Sequence, residues 1–324
     1  MKHISILVPH RARLSSIEIP RHAFTEVNNI LIANGKPSMF NVQMLGIQKQ
    51  VKLNSGLYSV TTDALIKDIE KTDLVIVPAI DGDLKEAVSF NKDFIPWIIK
   101  QYKRGAEVAS LCVGAFLLAA TGLLKGKQCS THWRAANDFK TIFPEVNLVV
   151  DKIITDDHGI YSSGGAFSSS NLILYLVEKY AGRDTAIQCS KMFQIDIERG
   201  SQSPFMIFSG QKKRNDDVVK NAQEFIENNF KDKITVDQLS NIFGIGRRTF
   251  ERRFKAATYN SIVEYMQRVK VEAAKKQFET GRKTVNEVMY DVGYTDNKAF
   301  RDIFKKIAGM SPIDYRNRYH KVGG

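Results

Sequence analysis

Cysteine is scarce in this chain of 324 residues. Cys112, Cys129 and Cys189 stand far apart, which excludes a disulfide framework and a zinc site and fits a reducing compartment. A long hydrophobic run is also missing. The most apolar stretch, Val108 to Leu124, is interrupted by Ser110, Gly114, Thr121 and Gly122 and is short for a membrane span of about 20 residues. Near the N-terminus, Ile4 to Val8 is followed by His10, Arg11 and Arg13, before a signal-peptide core of about 7–15 apolar residues is complete. The expectation is a soluble cytoplasmic protein with no membrane partner, no metal and no other cofactor. With 43% hydrophobic, 10% aromatic and 25% charged residues, the composition excludes intrinsic disorder. The length suits about two domains of roughly 100–200 residues each.

Acidic residues are in deficit. Lys plus Arg number 47 against 35 Asp plus Glu, a net charge of +12 that points to an anionic partner such as nucleic acid. The imbalance is local, with 24 basic and 15 acidic residues from Gln211 onward and 23 against 20 before it. A basic module on a nearly neutral body is the electrostatic footprint of a DNA-binding domain, although a solvated basic surface gives the same count.

In the first 200 residues, apolar runs of strand length alternate with longer helical patterns, the signature of an α/β fold around a mainly parallel sheet. Strands are predicted at Ile4–Val8, Val42–Ile47, Leu74–Val77 and Val108–Leu111. Helices are predicted around Pro20–Ala33, over Leu84–Tyr102 and after Ala166. Such sheets place ligand sites at the C-terminal ends of their strands. At one such end, Val108-Ala-Ser-Leu111 runs into Cys112-Val-Gly-Ala-Phe116 and the helical Leu117-Leu-Ala-Ala120. This strand, turn and helix put Cys112 at a nucleophile elbow, with the helix N-terminus favouring the thiolate and Gly114 allowing close packing. The plainer alternative is that Cys112 is a small buried hydrophobe.

Cys112-Val-Gly-Ala-Phe116, Leu118-Ala-Ala-Thr-Gly-Leu-Leu124, Thr131-His-Trp133, Ser162-Ser-Gly-Gly165, Leu174-Tyr-Leu-Val177 and Arg199-Gly-Ser-Gln-Ser-Pro-Phe205 resemble the PfpI-like branch of the class I glutamine amidotransferase superfamily, in particular the sensor domains of regulators. The resemblance implies a flavodoxin-like sandwich over residues 1–200. It makes Cys112 and His132 the candidate ligand-binding residues. In catalytic relatives the cysteine works with a histidine and an acidic residue from the first strand-to-helix loop. Here that acidic position is Ser16, Glu18 is out of register, and Ala79 replaces the usual glycine of the loop that helps form an oxyanion pocket. General acid/base catalysis needs a positioned partner of suitable pKa, and only His132 is on offer, so no catalytic residue is assigned.

A polar run without periodicity suggests a linker over 201–215. The rest reads as helices and contains an internal repeat. Thr235-Val-Asp-Gln-Leu matches Thr284-Val-Asn-Glu-Val at an offset of 49, each opening with a capping box. Phe243-Gly244-Ile245 matches Val292-Gly293-Tyr294 at the same offset. From Phe250 and Phe254, which match Phe300 and Phe304, the offset is 50, so the second turn has gained one residue. Helix, glycine turn and helix make a helix-turn-helix, and the module has two. In the second helix of each, the phenylalanines point inward. Arg248, Glu251, Arg252 and Lys255 then face out in the first unit, and Lys298, Arg301, Asp302 and Lys305 in the second.

Val288-Met-Tyr-Asp-Val-Gly-Tyr294, Phe300-Arg-Asp-Ile-Phe-Lys-Lys306 and Gly309-Met-Ser-Pro312 with Tyr315-Arg316 resemble the AraC-type DNA-binding domain over residues 216–320. The resemblance implies two recognition helices, joined by a long helix over about Ser261–Glu279, in successive major-groove segments of double-stranded promoter DNA. By alignment Arg248, Glu251, Arg252, Lys298, Ala299 and Asp302 face bases. Arg301 and Asn297 lie close enough to exchange roles, and Arg247, Lys255 and Lys305 complete the predicted DNA contacts. Tyr259 stands where the first unit often has glycine, with Asn260 expected to supply the left-handed residue. The expected function is sequence-specific transcription regulation, governed by an unidentified small-molecule effector in an N-terminal domain that also forms a homodimer. The alternative is a cysteine-dependent amidohydrolase or glyoxalase-like enzyme using Cys112 and His132.

Overall fold

Buried strands of Val, Ile and Leu alternate with amphipathic helices through the first part of the chain. The structure, a computed structural model, describes residues 1–197, 200–208, 210, 216–281 and 283–320. It divides into two units, Met1–Gln202 and Ser203–Gly324. The first begins with β1 (Lys2–Leu7), α1 (Leu14–Ala33), β2 (Phe40–Gly46), a hairpin of β3 (Gln50–Leu53) and β4 (Tyr58–Thr61), β5 (Ala64–Leu65) and β6 (Leu74–Val77). It continues with α2 (Leu84–Phe90), α3 (Phe94–Lys103), β7 (Glu107–Ser110), α4 (Ala115–Ala120), β8 (Gln128–Cys129), α5 (Ala136–Ile142) and β9 (Asn147–Leu148). The unit closes with β10 (Ile154–Asp157), β11 (Ile160–Ser163), α6 (Ser168–Ala181) and α7 (Arg183–Phe193).

Seven strands form one sheet in the order β10-β11-β7-β6-β1-β2-β5, parallel except for the β10–β11 pair. Side chains alternate between its faces. Ile4, Ile6 and Ile76 pack with Phe24 and Leu172 on one side, and Leu7, Val75 and Val77 pack with Phe116 and Phe139 on the other. The order of strands reverses between β1 and β6, which opens a crevice at their C-terminal ends, the usual ligand position in such sheets.

Two predicted helices differ from those observed. α1 starts at Leu14, six residues before Pro20, a proline that fits a first turn but here sits inside the helix and withdraws one N–H from it. The helix predicted over Leu84–Tyr102 is two, because Asn91 ends α2 and bonds its buried carboxamide to the backbone N–H and carbonyl of His10.

The second unit consists, among its described residues, of α8 (Asp217–Asn228), α9 (Val236–Ile242), α10 (Arg247–Thr258), α11 (Ile262–Thr280), α12 (Val285–Asp291), α13 (Asn297–Ala308) and α14 (Pro312–Tyr319), with one short helical turn at Ser203–Phe205. It has two apolar cores, and α11 serves both, giving Ile262, Tyr265 and Val269 to one and Val271, Ala274 and Phe278 to the other. The linker expected over 201–215 is shorter at its start. Gln202 is buried in the first unit, where its amide donates to the Thr131 and Val150 carbonyls, and Gly164 leaves it room: a Cβ there would lie 2.8 Å from the carboxamide. In the second unit Pro204 lies against Gly309, and Phe208 against Tyr265. Ser209 and residues 211–215 lie outside the described residues, as does Arg199.

Candidate functional site

Three loops meet at the C-terminal end of the sheet. Arg13 N donates to the Ala79 carbonyl at 2.9 Å and Asp81 N to the Arg11 carbonyl at 2.7 Å, which joins the loops after β1 and β6. The loop after β7 adds Cys112, whose φ of 56° is the strained backbone of an elbow. Gly114 fits only as glycine, since a Cβ would come within 2.5 Å of the Val77 and Pro78 carbonyl oxygens. Cys112 N donates to Ser163 Oγ at 3.2 Å and its carbonyl accepts from Thr131 Oγ1 at 3.0 Å. A cavity of about 40 Å³ opens beside Cys112, lined also by Arg13, Ser15, Ser16, Ile19, Ala79, Ala166 and Ser169.

The elbow forms, but its thiol is not activated. Burial pushes the Cys112 pKa up to about 11, against the expectation of a thiolate favoured by the helix N-terminus. α4 is only 6 residues long, so its dipole is a weak counterweight to desolvation. Among the described residues, no hydrogen bond joins Cys112 to His132. The imidazole Nδ1 instead accepts from Arg134 N at 3.1 Å, and burial, then Arg134 and Arg13, hold its pKa below the usual histidine value. Ser16, at the acidic position, donates to the Arg13 carbonyl and accepts from Ala79 N at 3.0 Å, which occupies a loop amide that an oxyanion would need. Glu18 is paired with Arg21 on α1.

In the second unit both capping boxes are present, Thr235 with Gln238 and Thr284 with Glu287. The turns contain Gly244 at φ 60° and Gly293 at φ 76°. Phe250, Phe254, Phe300 and Phe304 are fully buried. That burial turns Arg248, Glu251, Arg252 and Lys255 of α10, and Lys298, Ala299, Arg301, Asp302 and Lys305 of α13, outward, and all nine are exposed. Two further predicted contacts are engaged within the protein. Arg247 pairs with Asp237 at 3.0 Å and Glu251 at 3.2 Å, and half-buried Asn297 donates to Asn286 Oδ1 at 2.9 Å. These pairs occupy equivalent places in the repeat and tie the first turn of each recognition helix to the helix before it. Tyr259 itself takes the left-handed conformation, φ 56°, at the end of α10. Asn260 does not; its side chain donates to the Thr258 carbonyl at 2.7 Å.

A family model described as the DJ-1/PfpI family matches residues 2–179 of this chain. The chain belongs to the DJ-1/PfpI family. A second model, described as a helix-turn-helix domain, matches residues 239–318. Over 274 residues the chain is 24% identical to the HTH-type transcriptional regulator GbdR of Pseudomonas aeruginosa, covering 83% of this chain and 72% of the relative. It is 23% identical over 266 residues to the HTH-type transcriptional regulator CdhR of the same species, covering 82% and 78%. Among solved structures, a transcriptional regulator protein from Vibrio parahaemolyticus matches with a TM-score of 0.53 and 22% identity, over 59% of this chain and 98% of that one. A ThiJ/PfpI family protein from Pseudomonas syringae matches with a TM-score of 0.51 and 17% identity, over 75% and 91%. The DJ-1/PfpI domain thus precedes an AraC-type helix-turn-helix domain, and the chain is a DNA-binding transcription regulator.

Sequence reasoning did not single out Arg13 and Ser169 of the cavity or Asp237 and Asn286 of the helix pairs. Arg13 and Cys112 are brought together only by the parallel order of β1, β6 and β7. For the pairs a signal existed, because both partners recur at the repeat offsets of 49 and 50. Among the described residues, no helix is long and apolar enough to cross a membrane.

Proposed function

We propose that α10 and α13 read successive major-groove segments of double-stranded promoter DNA. Arg248, Glu251 and Arg252, then Lys298, Ala299 and Asp302, face base edges. Lys255, Arg301 and Lys305 serve phosphates, and Arg247 and Asn297 hold the helices. The observation that carries this reading is the pair of exposed polar stripes on equivalent faces of two helices whose opposite faces bury two phenylalanines each. Arginine can bond guanine bidentately, and a carboxylate such as Glu251 or Asp302 can accept from cytosine. In this reading the first unit forms a homodimer and receives a small-molecule effector in the cavity at Cys112, with His132 nearby. The effector alters DNA binding by favouring one state of the protein over another. The buried thiol of Cys112, Ser16 in place of an acid and the occupied Ala79 N–H support effector binding over turnover.

The test is capture of genomic fragments by the full-length protein at two salt concentrations. A few discrete upstream sites that persist at the higher salt support a specific regulator. Uniform retention that vanishes with salt overturns it, because that is the behaviour of phosphate contacts alone. Replacing Arg252 or Lys298 then separates roles, since a base reader changes sequence preference and a phosphate contact weakens all sites alike.

A further inference from the structure

An ion pair lies out of water in the helical unit. Lys275 of α11 and Glu272, one turn before it, meet at 3.1 Å with side chains only 5% and 14% exposed. Two charges so far from solvent hold a fold together no better than an apolar pair of the same size, which points to a use other than stability. What the pair grips is the backbone of the segment after Ser203. Lys275 Nζ donates to the Met206 carbonyl, and Glu272 Oε2 accepts from Phe208 N at 3.2 Å. The Phe208 ring packs edge-on to Tyr265, 5.0 Å between centres, and beneath the Arg268 guanidinium. Tyr265, Arg268, Glu272 and Lys275 follow one another at i, i+3, i+7 and i+10, a single stripe along α11.

The two ends of the segment reach different cores. At one end Pro204 lies against Gly309, which closes α13, and Phe205 lies under Arg318 of α14. Beside them Lys275 sits 5.6 Å from the ring of Tyr315, a member of the second core. At the other end Phe208 packs on the first core, and Gly210 passes so close to the Tyr265 hydroxyl that a side chain would collide with it. The two helix-turn-helix motifs are thus joined twice, through α11 and through the segment laid along it. Because two peptide groups are held, a slip of the segment by one residue would strip both buried charges of their backbone partners.

We propose that residues 203–208 are a strap that fixes the spacing at which α10 and α13 meet DNA, with Lys275 and Glu272 as its positioning residues. The proposal rests on the reading of α10 and α13 as paired readers of one duplex. Releasing the strap leaves each motif folded around its own core and lets α11 flex between them. A flexible pair accepts half-sites that a rigid pair refuses. One extra base pair moves a half-site by about 3.4 Å along the duplex and about 35° around it, a displacement that a strapped pair of helices does not follow.

The experiment measures binding of the full-length protein to a captured genomic site and to the same duplex with one base pair inserted between its half-sites. Urea unfolding is followed in parallel. The wild-type protein is expected to bind the inserted duplex about tenfold less tightly. Lys275→Met combined with Glu272→Gln removes both charges together, so neither is left buried without a partner, and the unfolding midpoint is expected to stay near that of the wild type. This double variant is expected to reduce the insertion penalty to about threefold, on the scale of that tenfold loss. Phe208→Ala releases the same strap without touching the ion pair and is expected to act in the same direction. An insertion penalty that stays at the wild-type value in the double variant, or in Phe208→Ala should the double variant not fold, overturns the proposal. A merely structural contact would weaken both duplexes in equal proportion and leave that ratio unmoved. A wild-type protein indifferent to the insertion overturns the reading of α10 and α13 as paired readers, and the strap's role with it.

Discussion

The two helix-turn-helix units share capping boxes and buried phenylalanine pairs, yet they close their turns by different physics. In the first, Gly244 has open space where a Cβ would be, and the recognition helix is tied by a surface ion pair, Arg247 with Asp237. In the second, a Cβ on Gly293 would lie 2.1 Å from the Lys231 carbonyl oxygen, and Lys270 donates to the Val292 carbonyl from the other side. The tie there is neutral, Asn297 with Asn286. After the recognition helix, Tyr259 bears a left-handed strain that Gly309 avoids. A duplicated motif thus keeps its buried apolar layer and its caps while the fixings around them diverge.

The strongest test of the shared part is Phe254→Ala against Phe304→Ala. Each removes a fully buried ring and is expected to cost about 3–5 kcal/mol in urea unfolding of the full chain. A large inequality would break the equivalence of the two cores. Gly293→Ala is expected to cost about 3 kcal/mol, from left-handed strain plus overlap with Lys231, and Gly244→Ala about 1 kcal/mol, from strain alone. Equal costs would remove the distinction between the turns. Tyr259→Gly is expected to stabilise by about 0.5–1 kcal/mol, whereas Gly309→Ala destabilises by about 1–2 kcal/mol, read as shifts of the same urea midpoint. The smallest effect separates positioning from phosphate binding. Asp237→Asn is expected to weaken operator binding a few-fold if Arg247 positions the helix, and to tighten it if Arg247 contacts phosphate, because a repulsive charge is then lost.

Much of this was legible from the residues. The repeat offset located the extra residue of the second turn, four residues over 243–246 against five over 292–296. The capping boxes and inward phenylalanines follow from helical spacing alone. The elbow at Cys112 was legible as a strand that runs without pause into a glycine-containing turn. The state of its thiol was not, because desolvation depends on everything packed around it. Arg13 escaped notice because 99 positions separate it from Cys112 and only the strand order joins them. The break at Asn91 was missed for a similar reason, since it is decided by His10, 81 positions away in sequence.

The two recognition helices have the same length, 12 residues each, and the extra residue of the second unit lies wholly in the turn before it. Each helix therefore has its own anchor in the helix that precedes it. If α10 and α13 read successive segments of DNA as proposed, changes on the exposed face of α10 alter half of an operator while α13 holds the other half unchanged. On that reading, binding preference can drift one half-site at a time while the other half-site keeps the protein on its DNA.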